Sequence, residues 1–312
     1  AQDNEETGAS FFFELPLRQE PEEIICEPKA YLNELMMDDN SGQPSAKEVF
    51  DTTPYTILVV DDNPDMTDFL KRTFEGYFKR IIIAGDGVEA LQLVRSHVPD
   101  IIVSDVMMPR MNGYELCKTI KEDIAISHIP VILLTAKDDK QSLISGYKNG
   151  ADGYLSKPFE VEMLMELIRN RLKNREYTKK RYLNAGLIPT PEESTISLTD
   201  ETFLIKLNSI IQENIDNTNL GIQFICQEVG LGRSSLYNKL KALTGMGANE
   251  YISKLRIEKA ITLISGTDMP FSEIAEKTGF TTPSYFSTTF KQYTGETPSQ
   301  YKERKKKGLT DQ

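Results

Sequence analysis

Between residues 55 and 175 the chain alternates short apolar runs with segments of helical periodicity. We predict strands near 56–61, 80–84, 101–105, 130–135 and 152–156, and helices near 64–76, 87–96, 113–122, 139–149 and from 160 onward. Asp86-Gly87 and Asn112-Gly113 supply turn residues between these elements. Alternating strands and helices are typical of a parallel sheet covered by helices on both faces. The pattern therefore predicts an α/β domain with five parallel strands.

Polar residues follow four of these strands directly. The apolar run 101–103 leads through Ser104 into Asp105, and the other three strands end in Asp61-Asp62, Thr135 and Lys157-Pro158. Because the carboxyl ends of parallel strands meet at one edge of a sheet, we expect these side chains to converge. Three carboxylates without a nearby His or Cys favour Mg²⁺ over zinc. An ammonium and a hydroxyl beside them suit the oxygens of a phosphoryl group.

These motifs resemble the receiver domain of two-component response regulators over about residues 55–175. The resemblance implies a flavodoxin-like, doubly wound five-stranded sheet, in which Asp105 accepts a phosphoryl group from a kinase histidine. It also implies that Mg²⁺ is held by Asp62, Asp105 and the backbone carbonyl of Met107, with Asp61 assisting.

The same resemblance assigns two further roles. Lys157 would pair with the phosphoryl oxygens. Thr135 and the aromatic Tyr154 would move together as the switch that reports phosphorylation.

Two other classes of protein compete with this interpretation. A Mg²⁺-dependent phosphatase of the haloacid dehalogenase type, or a phosphotransfer enzyme whose helical part docks protein, would use similar groups. That phosphatase family requires a second acid two residues after the nucleophile, where this chain has Met107. The other alternative is an interaction module that no longer takes phosphate.

Charge is distributed unevenly along the 312 residues, a length that suggests two domains. Residues 1–54 carry 3 Lys/Arg against 13 Asp/Glu, whereas residues 233–307 carry 13 against 7. We expect nucleic acid to bind the basic end. The 3 cysteines are scattered, which argues against a disulfide framework and suits a reducing cytoplasm.

An internal repeat occupies the basic end. Residues 225–231 and 274–280 share one spacing around Gly230 and Gly279, and each leads into a second helix, at 233–243 and 283–293. A helix, a glycine turn and a second helix form a helix-turn-helix motif. The sequence therefore predicts an all-helical domain with two such motifs.

Residues 205–304 resemble the AraC-type DNA-binding domain, on G-L-G-R-S-S-L-Y-N-K-L-K-A-L-T-G, the bridging segment from Asn249, and F-S-E-I-A-E-K-T-G-F-T-T-P-S-Y-F-S-T-T-F-K-Q-Y-T-G. Gly232 departs from the Ser that is common before the first recognition helix. The resemblance implies that two recognition helices enter successive major-groove turns, about 34 Å apart.

Helical spacing divides the residues of these two helices into groups. The predicted core positions are Leu236, Leu240, Phe286 and Phe290. The predicted base contacts are Ser234, Tyr237, Asn238, Ser284, Ser287 and Thr288, with Asn238 best equipped because its amide can bind adenine twice. The predicted phosphate contacts are Arg233, Lys239, Lys241 and Lys291.

The first residues carry a further expectation. The stretch 8–17 is similar to the final strand of histidine-kinase ATP-binding domains, so we expect the chain to be the C-terminal part of a hybrid sensor kinase. The predicted domains are a remnant strand (1–17), an acidic linker (18–54), the receiver (55–175), a second linker (176–200), the AraC-type domain (201–305) and a tail (306–312). We expect no partner for the remnant strand within this chain.

Together these observations predict a cytoplasmic, phosphorylation-dependent transcription regulator. Its parent chain would be a protein-histidine kinase anchored in the inner membrane. The only reactions of the present fragment would be self-phosphotransfer and autodephosphorylation. Its partners would be a histidine kinase domain, in the same polypeptide under the hybrid interpretation, and double-stranded promoter DNA. We expect a homodimer after phosphorylation.

Overall fold

The computed structural model describes residues 2–3, 9–10, 50–136, 150–184 and 197–308. The chain divides into two compact units, residues 1–49 and 50–312. In the first unit, β1 (Gln2–Asp3) pairs antiparallel with β2 (Ala9–Ser10). The expectation that the remnant strand has no partner within this chain is therefore wrong at Ser10, which pairs with Gln2. The rest of that strand, and the helix expected near 29–37, lie outside the described residues.

Five parallel strands form the sheet of the second unit. They are β3 (Thr56–Val60), β4 (Arg80–Ala84), β5 (Ile101–Asp105), β6 (Val131–Ala136) and β7 (Gly153–Lys157). Their order, β4-β3-β5-β6-β7, confirms the predicted doubly wound topology. Every residue of β5 is buried, as expected for a central strand covered on both faces.

In the described part of the chain four helices flank the sheet, and the sheet separates two layers of core. The helices are α1 (Pro64–Phe74), α2 (Gly87–His97), α3 (Gly113–Glu122) and α4 (Val161–Asn184). One cluster of buried side chains lies between the sheet and α2 and α3, and the other between the sheet and α1 and α4. The helix predicted for 139–149 lies outside the described residues.

Seven helices follow within the described part of the chain. They are α5 (Leu198–Glu213), α6 (Ile222–Val229), α7 (Arg233–Thr244), α8 (Ala248–Gly266), α9 (Phe271–Lys277), α10 (Pro283–Thr294) and α11 (Pro298–Gly308). Gly230 and Gly279 adopt positive φ, of 77° and 71°, at the turns between α6 and α7 and between α9 and α10. A left-handed residue at this place is readily supplied by glycine, which confirms both predicted motifs.

The bridging helix α8 belongs to two separate cores. Its first half contributes Tyr251, Ile252 and Leu255 to the core of the first motif. Its second half contributes Ile257 and Ile264 to the core of the second. The two motifs are therefore held together by one continuous helix.

The sheet domain packs against the first motif through α4. This helix continues past residue 175, where the receiver was predicted to end, and it runs along α7. Tyr182 of α4 is buried in the core of the first motif. Lys254 of α8 donates hydrogen bonds to the carbonyl oxygens of Tyr182 and Leu183, which supplies acceptors at the end of α4 with a cationic partner. Among the helices that the structure describes, none combines the length and hydrophobicity needed to cross a bilayer.

Candidate functional site

Three charged side chains meet at the carboxyl edge of the sheet. Lys157, the last residue of β7, places its Nζ 2.7 Å from Oδ1 of Asp105 and 2.9 Å from Oδ2 of Asp61. Asp105 ends β5, and Asp61 follows the neighbouring strand β3. The ammonium therefore lies between two carboxylates that come from separate strands, as the sequence predicted for this edge.

Backbone amides hold both carboxylates in place. The Met107 amide donates to Oδ2 of Asp105 at 3.0 Å, and the Asn63 amide donates to Oδ1 of Asp61 at 2.9 Å. Burial alone would lower the pKa of Lys157, but its hydrogen bonds to Asp105 and Asp61 outweigh that effect and raise the pKa above its ordinary value. Lys157 is therefore a fixed cation beside Asp105.

The other residues predicted for this edge take different positions. Asp62 is exposed, directly after Asp61. Thr135 is buried on β6, one residue beyond Leu134, which pairs with Asp105 in the sheet. Tyr154 lies on β7 opposite Leu133, farther from the edge, and packs partly buried against the core on the α3 side.

The oxygen donors of this edge fit a hard divalent cation. Asp61, Asp62 and Asp105 carry three negative charges against the single positive charge of Lys157. No group of three or more His, Cys, Asp or Glu side chains among the described residues is placed to hold a metal ion. Mg²⁺ usually binds proteins through only one or two carboxylates and keeps several waters, so it does not require such a group.

The loop from 106 to 112 is held by residues that the sequence analysis treated only as turns. A Cβ on Gly113 would lie against the carbonyl oxygen of Asp105, well inside van der Waals contact, and one on Gly87 would be 2.6 Å from the carbonyl oxygen of Met111. Arg110 has a φ of 65° and pairs with the buried carboxylate of Asp86. These close approaches fix the loop that carries Met107.

The two recognition helices present most of their predicted DNA contacts to solvent. The exposed ones are Arg233, Ser234, Tyr237, Lys241, Ser284, Thr288 and Lys291, and Asn238 and Ser287 are half-buried. The predicted core positions Leu236, Leu240, Phe286 and Phe290 are confirmed, since each is at most 1% exposed. Tyr285, which the sequence analysis did not select, is 54% exposed on α10 beside these residues. The sequence feature that could have indicated this residue is its position next to Ser284, at the start of the recognition helix.

Lys239 is the exception, and its assignment to DNA phosphate is wrong for this structure. Its side chain is fully buried. Its Nζ pairs with Asp200 of α5 and donates to the Ser127 hydroxyl at 2.8 Å, and the same hydroxyl donates to Asp200 at 2.7 Å. Burial lowers the pKa of Lys239, partly offset by Asp200. This lysine therefore links the first recognition helix to the sheet domain, which contributes Ser127.

The geometry defines a class of protein. An α/β domain, whose sheet carries two carboxylates and a lysine at its carboxyl edge, is joined to a domain with two helix-turn-helix motifs. Comparison with known families agrees. A response regulator receiver domain matches residues 57–169, and a helix-turn-helix domain of the AraC type matches residues 225–304.

Three relatives extend the comparison. Histidine kinase P4 of Formosa agariphila is 41% identical over 80% of this chain and 18% of its own length. The DNA-binding response regulator MtrA of Mycolicibacterium smegmatis is 37% identical over 44% of this chain and 58% of its own. Response regulator MprA of a Mycobacterium species is 36% identical over 49% of this chain and 70% of its own.

The chain belongs to the response regulator family. It spans less than two thirds of the length of the first two of these relatives. Its two matched domains are those of a regulator, a receiver followed by a DNA-binding domain.

Proposed function

We propose that the chain is a phosphorylation-dependent transcription regulator, in which Asp105 accepts a phosphoryl group from a histidine kinase. The observation that carries the proposal is Lys157, which contacts the Asp105 carboxylate at 2.7 Å and is also held by Asp61. A fixed ammonium beside the acceptor oxygen offsets the negative charge that an incoming phosphoryl group brings.

Mg²⁺ supplies charge neutralisation for phosphoryl transfer when it is bound. We assign Asp62, Asp105 and the carbonyl of Met107 as its protein ligands, with Asp61 supporting them. Lys157 then holds the phosphoryl oxygens, while Thr135 and Tyr154 respond to the modified Asp105.

The DNA-binding half acts through the exposed faces of α7 and α10. Asn238, with its amide, is our candidate for reading base edges, whereas Arg233, Lys241 and Lys291 are our candidates for phosphate contacts. The receiver reaches the first of these helices through Ser127 and Lys239. Phosphorylation therefore has a physical route to DNA binding, through release of this contact or through dimerisation.

We further propose that the parent protein is a hybrid histidine kinase. The similarity of this chain to 18% of Histidine kinase P4 supports it, because 80% of the chain is matched there. Asp105 would then receive its phosphoryl group from a histidine of the same polypeptide. Sequencing the gene upstream of Ala1 tests this, and an in-frame start codon at that point would exclude it.

An acyl phosphate provides the direct test of Asp105. Incubation with acetyl phosphate and Mg²⁺ should add one phosphoryl group to the chain, detected by intact mass, and Asp105→Asn should abolish it. The matched control is Asp268→Asn, because the side chain of Asp268 is 90% exposed in the helix-turn-helix domain. Lys157→Ala should still fold and should lose the coupling between phosphorylation and DNA affinity.

The same samples discriminate the competing classes. A phosphatase would turn over a phosphomonoester, whereas an interaction module would neither take the label nor change its DNA affinity. Labelling of Asp105→Asn at the wild-type level would disprove the assignment of the acceptor.

A further inference from the structure

A cavity of about 80 Å³ lies between the receiver and the first helix-turn-helix motif. Its receiver wall carries His128, which precedes β6, and Arg171 and Arg175, which belong to α4. Asp200 of α5 and Leu243 of α7 contribute to the opposite wall. The phosphorylation edge contributes no residue to it, so the cavity is distinct from the site of the proposed function.

The walls hold buried polar atoms that no described residue satisfies with a hydrogen bond. His128 is 7% exposed, and neither of its ring nitrogens has a hydrogen-bond partner among the residues that the structure describes. The Nε atoms of Arg171 and Arg175 are also buried without a partner in the described part of the chain, although Arg175 uses another nitrogen to reach the carbonyl of Asp100. Because buried donors are almost always satisfied in folded proteins, these groups indicate an occupant that accepts hydrogen bonds.

Both carboxylates that line the cavity are already neutralised. Asp152 pairs with Lys121 at 2.7 Å, and Asp200 pairs with Lys239. Arg171 makes no ion pair with any residue that the structure describes. Among the described residues, the charge of Arg171 is therefore left unpaired at the wall, and it favours a negatively charged occupant.

The electrostatic environment of His128 points the same way. Burial lowers the pKa of this imidazole well below its ordinary value of 6.5, and four cations lower it further: Arg175, Lys239, Lys121 and Lys179. The carboxylates of Asp152 and Asp200 face the same space but do not reverse the effect. The ring is therefore neutral and sits in a positive potential, where its one N–H can donate to an anion.

We propose that this cavity is a binding site for one small oxyanion of the size of phosphate, held by Arg171 and His128 at the junction of the two domains. A cavity needs about 10–15 Å³ of such volume to hold one water, so about 80 Å³ leaves room for an anion of the size of phosphate. Since residues of both domains line the cavity, binding of the anion stabilises their docked arrangement.

Histidine NMR tests the proposal on the full chain. The chain contains only 2 histidines, and His97, at the exposed end of α2, serves as the internal reference. Inorganic phosphate, added at constant ionic strength without Mg²⁺ or an acyl phosphate, should shift the His128 ring signals saturably and raise the pKa of His128. The His97 signals should not saturate with the same midpoint.

Two variants on α4 separate the cavity from general anion effects. Arg171→Gln should weaken phosphate binding about tenfold or more, because it removes a charge-assisted hydrogen bond. Arg169→Gln should leave the affinity within about twofold, since Arg169 pairs with Glu166 and does not line the cavity. A His128 signal that does not respond at millimolar phosphate would show that the cavity takes up no anion. An equal response in Arg171→Gln would show that Arg171 does not hold the anion, and either result would overturn the proposal. Phosphorylation of Asp105 would be unaffected by that result.

Discussion

The buried pair of Lys239 and Asp200 gives the sharpest prediction for the junction between the two domains. Replacing Asp200 with Asn keeps the size of the side chain but removes the negative charge. The Lys239 side chain is 0% exposed and that of Asp200 5% exposed, so water cannot take over the lost interaction. The variant therefore leaves a buried ammonium without a counter-charge.

The magnitude can be bounded from both sides. Removing one partner of a buried ion pair costs about 3–5 kcal/mol. The lysine can instead release its proton, and for an ordinary pKa of 10.5 this costs about 5 kcal/mol at pH 7. The expected loss is consequently about 3–5 kcal/mol, with neutralisation of Lys239 as the ceiling. The double variant Asp200→Asn/Lys239→Met should recover most of it, because an apolar side chain of similar length fills the site without a charge.

Urea unfolding at neutral pH, followed by far-UV circular dichroism because the chain has no tryptophan, measures these differences. Amide exchange within α7 locates the effect in the first motif, which guards against unfolding that is not two-state. The matched control is Glu273→Gln, which breaks an exposed pair with Lys277 and should cost less than about 1 kcal/mol. The reasoning fails if Asp200→Asn costs no more than this control, or if the double variant is as unstable as the single one.

Three further predictions concern the loop, the bridging helix and the DNA contacts. Gly113→Ala should cost about 1–3 kcal/mol in urea unfolding and slow acyl-phosphate labelling, because its methyl group would displace the Asp105 backbone, whereas Gly266→Ala, which meets open space, should do neither. Burial raises the pKa of Glu258 from 4.5 to about 7, so between these pH values the folded chain holds a proton that the unfolded chain releases. The free energy of unfolding should therefore fall as the pH rises from 4.5 to about 7. Glu258→Gln, measured by urea unfolding at several pH values in this interval, should remove the decline. In gel shifts at several salt concentrations, Lys291→Ala should weaken binding to all DNA sequences and reduce the slope of log affinity against log salt concentration by about 1. Asn238→Ala should relax the sequence preference and leave that slope unchanged. Identical behaviour of the two variants would contradict the division into phosphate and base contacts.

The edge of the sheet was predictable because its determinants are local. The end of each apolar strand is marked in the sequence by a polar residue, such as Asp105 or Lys157. Parallel strand pairing then brings those ends together whatever the intervening helices contain. The role of Gly113 was not predictable in this way, because it depends on how closely the start of α3 approaches the carbonyl oxygen of Asp105. The strand pattern also did not indicate that Asp62 is exposed.

The junction between the domains was not predictable, because its partners are distant in sequence. Lys239 meets Asp200 from 39 positions away and Ser127 from 112 positions away. A basic residue within a basic recognition helix is ordinarily a phosphate contact, and its own neighbours carry no sign of these partners. The basic composition therefore correctly indicated a DNA-binding domain, but it led to the wrong prediction that the Lys239 side chain is exposed to DNA.

Comparison of the two repeated motifs in the structure explains the environment of Lys239. The helices α7 and α10 have the same length and are offset by 50 residues, so Lys239 corresponds to Thr289. Thr289 is only 5% exposed, which shows that this position of the recognition helix faces inward in both motifs. A small polar residue is accommodated there by the helix-turn-helix core, but a lysine requires a counter-charge and a hydrogen-bond acceptor. Asp200 and Ser127 supply both, and Ser127 comes from the receiver. The two motifs are thus alike in sequence but differ in how they contact the receiver. In the described part of the chain, the receiver pairs with the recognition helix of the first motif through this inward position. The corresponding threonine of the second motif needs no such partner.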